Sequence, residues 1–156
     1  PGHPGVVWHV VGDGALRPRY EACAAELGLG GRVVFAGRVA DVPAYLERLA
    51  IGVICSDSEG FSNAVLEYML RGCAVVATDV GGNREAVRHG ETGLLVPPGD
   101  AAALAAALGR LLAEPETRRA LARRARAEAA AKYDWARCVA AHQEHYEAAL
   151  RAARRR

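Results

Sequence analysis

Apolar positions change their period in a regular way along this chain. Short runs rich in Val, Ile and Phe fall at 6–11, 32–35, 51–55, 74–77 and 93–96, with the length and β-branched content of buried strands. Between them the apolar spacing is helical, over 17–27, 42–49 and 62–71, with a short helical piece at 83–88 after Gly81-Gly82. In the helix after the third strand, Val65, Leu66, Met69 and Leu70 are expected to face inward. Pro97-Pro98-Gly99 stops the last strand, and Asp100 is a natural N-cap for a helix over 101–113. Two more helices are predicted, about 115–132 and 134–151. Such alternation predicts an α/β fold, a parallel sheet with helices on both faces.

Candidate chemistry concentrates between Ser56 and Asp100. Glu59 follows the third apolar run, so it stands at the carboxyl end of a strand, where open parallel sheets bind ligands. Gly60 lets a ligand approach the backbone closely. Free amides around Phe61, Ser62 and Asn63 face an anion, with the positive end of a helix dipole behind them, and a diphosphate suits that position. Glu67 lies about two helical turns further on. Because Glu59 precedes the helix, both carboxylates can face one cleft. Ionised acids accept several hydrogen bonds, and a sugar diol donates two at once. Two acids at this spacing are, by themselves, ordinary solvated helix charges. The surrounding residues make them candidates.

The run EGFSNAVLEYMLRGCAVVATDVGGNREAV, followed by GETGLLVPPGD, resembles the C-terminal domain of a family 4 (group 1) glycosyltransferase of the GT-B fold. Glu59 and Glu67 match the two acids of that family's E-x7-E motif. The likeness extends upstream through VVGDGALRPRYEACAAELGLGGRVVFAGRVADVPAYL and weakly downstream to Tyr133, Asp134 and Trp135, which resemble the entry to the family's last helix. It implies that Glu59 contacts the donor sugar near the reacting carbon and that Glu67 binds the ribose diol. It also implies that Gly60, Phe61 and Ser62 meet sugar and phosphates through their backbone. Gly37, Arg38 and Val39 match the loop that meets the nucleobase, and Gly81-Gly82 matches a loop near the donor. Gly12, Asp13 and Gly14 match a G-[DE]-G turn, for which a ligand role and a simple loop after a strand both stay open. They are not a dinucleotide fingerprint, since Arg17 stands where its third glycine is needed.

By the same resemblance the fold is a Rossmann-like sheet, the C-terminal lobe of a GT-B enzyme lacking its first βα unit. The family's donor diphosphate is gripped by an Arg and a Lys from that unit; the one lysine here is Lys132. The chain is therefore expected to be a fragment of a larger enzyme, without its acceptor-binding lobe and inactive alone. Residues 1–5 read as linker or truncation boundary, 6–132 as the nucleotide-sugar-binding domain, and 133–156 as a C-terminal helix with a basic tail. Leu49-Ala50, where the family has Ala-Asp, and Cys55, where proline is common, are departures read as packing variation.

Composition agrees with a soluble globular domain: 51% of residues are apolar and 24% charged. No apolar run approaches the roughly 20 residues of a spanning helix, and no signal peptide is visible. The expected location is the cytoplasm, peripheral at the inner face of the membrane. Charge is uneven, since residues 118–156 carry eleven basic and four acidic side chains. Solvated helix faces and a frayed end at 154–156 explain that plainly; attraction to an anionic bilayer or a lipid-linked acceptor is the functional reading. Nucleic acid is not expected, because stacking aromatics and a reading motif are missing. Cys23, Cys55, Cys73 and Cys138 form no metal-binding spacing and read as buried free thiols. His142 and His145 neighbour on a helix but lack a third ligand.

The expected activity is transfer of a sugar from a nucleoside diphosphate sugar to a hydroxyl acceptor, in polysaccharide, glycolipid or glycoconjugate synthesis. The resemblance implies retention of configuration and neither cofactor nor catalytic metal. Two other classes stay open: a non-catalytic nucleotide-sugar-binding module, and a nucleotide-sugar epimerase of the same two-lobed fold. No pyridoxal-phosphate lysine site is recognisable, which disfavours a phosphorylase. The sequence does not name the nucleobase, the sugar or the acceptor.

Overall fold

The computed structural model describes residues 3–153, so the outer part of the 1–5 linker and the basic end at 154–156 lie outside the described residues. Five strands alternate with seven helices: β1 (Trp8–Val11), α1 (Arg17–Glu26), β2 (Val33–Gly37), α2 (Val42–Leu46), β3 (Ile51–Ile54), α3 (Asn63–Arg71), β4 (Ala74–Thr78), α4 (Asn83–Ala86), β5 (Gly93–Val96), α5 (Ala101–Ala113), α6 (Pro115–Lys132) and α7 (Trp135–Ala153). Every strand pairing is parallel. The strands form two ladders, β1–β2 and β3–β4–β5, and the chain divides into compact units at residues 1–45 and 46–156.

In the first unit the two strands pair from Trp8 opposite Val33 to Val11 opposite Gly37, with a register shift before Val11. The Gly12 amide donates to the Gly37 carbonyl at 2.8 Å, which continues the ladder into the following loops. Two strands offer little area for a core. Gly37 is the one buried residue among the described residues of this unit.

The second unit has its core on both faces of β4, whose five residues are all buried. Successive strand side chains point to opposite faces. Val75 and Ala77 accordingly pack with Val65 and Met69 of α3, Ala86 of α4, and Ala125 and Ala129 of α6. Ala74 and Val76 pack with Leu94 and Val96 of β5, Leu111 of α5, and Leu121 and Ala122 of α6. Burying one such aliphatic side chain contributes about 1.5–3 kcal/mol.

Helix boundaries have local causes. Asp100 accepts from the Ala103 amide at 2.8 Å and starts α5. Pro115 opens α6, where its missing N–H costs nothing. Gly72, at φ 77°, ends α3 in the left-handed region, with the Cys73 amide donating back to the Tyr68 carbonyl at 3.0 Å.

Two expectations need correction. Leu70 is 36% exposed, while Tyr68 turns its ring onto β3 in the space left by the missing side chain of Gly52. Of the four cysteines Cys73 alone is buried; Cys23, Cys55 and Cys138 are exposed, because each sits on an outward helix face or at a strand end.

Candidate functional site

The apolar content of β3 ends at Ile54, and the chain reaches α3 through an eight-residue loop, Cys55 to Ser62. Within it Glu59 is half-buried, and its Oε1 accepts a hydrogen bond from Ser56 Oγ at 2.8 Å. The Ser56 carbonyl in turn accepts from Thr78 Oγ1 at 2.7 Å, at the end of β4. The carboxylate is thus tied by a short relay to the central strand.

A second loop, after β4, closes on the first. The Gly82 amide donates to the Gly60 carbonyl at 2.9 Å. A Cβ on Gly82 would come 2.5 Å from that oxygen and 2.8 Å from the Phe61 ring, and one on Gly81 would run into the Glu59 carbonyl. Gly81 also has φ 45°, a conformation that L side chains rarely adopt. Asn83 is fully buried; its Nδ2 donates to the Thr78 carbonyl at 3.0 Å, and its Oδ1 has no partner among the described residues.

Beside Glu59, α3 begins at Asn63 with Ser62 as N-cap. No side chain caps this end, and the amides of Phe61, Ser62 and Asn63 find no acceptor among the described residues. Such a terminus carries partial positive charge and free donors. Phe61 packs near Tyr133, ring centroids 5.6 Å apart. The Tyr133 hydroxyl and Lys132 Nζ both donate to the Glu85 carbonyl at 3.1 Å, which pins the end of α6 to α4.

The predicted residues fall into three places. Glu59, Gly60 and Phe61 meet Gly81 and Gly82 in one tight pair of loops, with Ser62 and Asn63 following at the start of α3. Glu67 stands apart, exposed on the side of α3 away from the buried Val65 and Met69. The neighbouring Tyr68 phenol is pushed up from its ordinary pKa, by burial first and then by nearby Cys73, Glu67 and Cys55. In the first unit the Gly12–Gly14 turn and the Gly37–Val39 loop come together through the Gly12 to Gly37 bond, and the Gly14 amide donates to Asp13 Oδ1 at 2.9 Å. There Arg38 is exposed and Val39 half-buried. A cleft of about 180 Å³ is lined by Cys55 and Asp57 of the same loop, Thr78 and the start of α5, but neither Glu59 nor Glu67 lines it.

Sequence reasoning missed Ser56, Thr78 and Asn83. Ser56 has a local signal, a hydroxyl three residues before an acid at a strand end. Thr78 has a weaker one, a polar residue closing an apolar strand. On the α7 side, Trp135, Val139, Tyr146 and Leu150 are exposed, and no residue of that helix is buried. Among the described residues no group of His, Cys, Asp or Glu gathers closely enough to hold a metal ion, and His142 Nδ1 instead lies 2.8 Å from the Cys138 carbonyl.

Comparison with known proteins gives these loops a context. The family model for glycosyl transferases group 1 matches residues 2–114. The lipopolysaccharide core biosynthesis glycosyltransferase LpsE of Rhizobium meliloti is 37% identical over 121 residues, covering 78% of this chain and 36% of that protein. HepE of Anabaena, solved in complex with UDP, superposes with a TM-score of 0.85 at 29% identity over 94% of this chain and 41% of its own. The C-terminal domain of the group 1 glycosyl transferase LpcC from Francisella tularensis gives 0.71 at 30% identity, over 77% of this chain and 63% of its own. This chain therefore spans about a third of the length of curated relatives such as LpsE. From the family match and these likenesses, the chain belongs to the group 1 glycosyl transferases and has the α/β architecture of a GT-B C-terminal lobe.

Proposed function

We propose that this chain is the donor-binding lobe of a retaining glycosyltransferase that moves a sugar from a nucleoside diphosphate to a hydroxyl acceptor, in the synthesis of a polysaccharide, glycolipid or other glycoconjugate. One observation carries this reading: a hydrogen-bonded carboxylate, Glu59, beside the amides of Phe61, Ser62 and Asn63 at the start of α3, which have no acceptor among the described residues. The acid accepts from sugar hydroxyls, and the amides donate to diphosphate oxygens. In the reaction the bond from the anomeric carbon to the diphosphate oxygen breaks, and that oxygen keeps the electron pair. The acceptor oxygen bonds the carbon and gives up its proton to the departing diphosphate. Charge developing on the leaving group meets preorganised dipoles, an electrostatic task of the oxyanion-hole kind.

Glu59 orients the hexose and supports positive character on the ring. Glu67 takes the ribose diol, and Gly81 and Gly82 bound the sugar. No catalytic metal takes part. HepE was solved with UDP and with UDP-glucose, which supports UDP as the first nucleotide to try.

The test is Glu59→Ala in the natural polypeptide that carries this chain. Transfer is expected to fall by roughly 10²–10³, the scale of losing one electrostatic stabiliser, with the melting temperature unchanged. Near-normal turnover would overturn the role. Calorimetry with UDP, GDP and ADP names the nucleotide; binding without any transfer by the wild-type polypeptide would make the chain part of a binding module instead.

A further inference from the structure

We propose that Ser56 and Thr78 are positioning residues that hold the Glu59 carboxylate toward the sugar of the donor, so that they act on the sugar-dependent step and not on capture of the nucleotide. The inference rests on the reading of Glu59 given above.

The terminal torsion of a glutamate side chain is broad, so an unheld carboxylate on a loop samples many orientations. Here Oε1 is occupied by the Ser56 hydroxyl at 2.8 Å, which leaves Oε2 to accept from a ligand. Ser56 is itself fixed, because its carbonyl accepts from Thr78 Oγ1 at 2.7 Å. Thr78 is 2% exposed and ends the fully buried strand β4; its own carbonyl accepts from buried Asn83. Threonine is branched at Cβ, which restricts its rotamers. Each link thus ends on a less mobile one, from a half-buried loop acid to the centre of the sheet. Sugar-facing geometry is set by this relay, whereas the α3 amides that suit a diphosphate lie outside it.

The experiment compares Ser56→Ala, Ser56→Thr and Thr78→Val in the natural polypeptide, using whichever of UDP-, GDP- or ADP-glucose the wild type turns over. Ser56→Ala is expected to lower kcat about 10- to 100-fold, the loss of a hydrogen bond to a charged group. Calorimetric affinity for the free nucleoside diphosphate should stay within about twofold of wild type, on the scale of neutral surface changes. Ser56→Thr keeps a hydroxyl at the same place and should recover most of the rate. Thr78→Val, nearly isosteric, should move kcat in the same direction by a smaller factor. In the Glu59→Ala background, Ser56→Ala should cost nothing further, because its effect passes through the acid.

Wild-type kcat in Ser56→Ala, or equal losses in Ser56→Ala and Ser56→Thr, would sink the inference. So would a parallel fall in kcat and nucleotide affinity, which marks a merely structural residue. The two levels separate cleanly. If Glu59→Ala is inactive but Ser56→Ala is not impaired, the relay fails while the site stands; if Glu59→Ala is active, the site itself fails.

Discussion

Cys73 illustrates how the same residue type behaves differently by position. Its thiol is fully buried behind α3 and donates to the Leu46 carbonyl at 3.3 Å, and burial pushes its pKa from 9.0 up to about 11. A thiol whose folded pKa is raised contributes its stabilisation in full below the unfolded value and loses it as pH climbs to the folded one. Unfolding free energy should therefore decline between pH 9 and 11, by ~2 to 3 kcal/mol. Cys73→Ala should flatten part of that decline and leave the portion due to Tyr68, whose phenol shifts the same way. Denaturant titrations across that range check it. At pH 8, Ellman's reagent should meet exposed Cys23, Cys55 and Cys138 promptly and Cys73 only after unfolding.

Elements were easier to foresee than the contacts between them. Strand and helix positions followed from the change of apolar period, and most boundaries fall within three residues of the pattern. The run at 74–77, apolar at every position, marked a strand, and in the structure it lies within β4, buried throughout. The placing of Glu59 was legible for the same reason: an apolar run stops, a helix begins, and a glycine lies between. What period could not show was Tyr68 displacing Leu70, since that depends on a gap at Gly52 in another element. Nor could it show Thr78 reaching Ser56 across 22 positions of chain. Two glycines separate these kinds of information experimentally. Gly109, inside α5, has open space where a Cβ would go and no unusual φ, so Gly109→Ala should stabilise by about 0.5–1 kcal/mol. Gly81→Ala meets the Glu59 carbonyl at a strained φ and should cost about 1–3 kcal/mol. Chemical denaturation of both variants, read side by side, decides; equal effects would mean that the two loops do not press on each other.

Across the whole molecule, charge is the property that outruns the fold. The outer face of α6 carries Arg119, Arg123 and Arg126 at helical spacing, and Arg123 and Arg126 have no ion-pair partner among the described residues. No helix among the described residues is long and apolar enough to cross a membrane. We propose that this face approaches an anionic bilayer, where a lipid-linked acceptor is presented. Each arginine near such a surface contributes about 1 kcal/mol. Sedimentation with vesicles of phosphatidylcholine plus phosphatidylglycerol should show binding that weakens with salt and drops about tenfold or more in Arg123→Glu/Arg126→Glu. Equal binding to pure phosphatidylcholine vesicles would rule out an electrostatic origin.

The close seating of Gly82 beneath Gly60 has a practical corollary for anyone who exchanges these loops. A segment transplanted from a homologue at 55–62 inherits the backbone path of its original neighbour, so the piece at 79–83 must travel with it. Grafted alone, either half arrives shaped for a companion it no longer has.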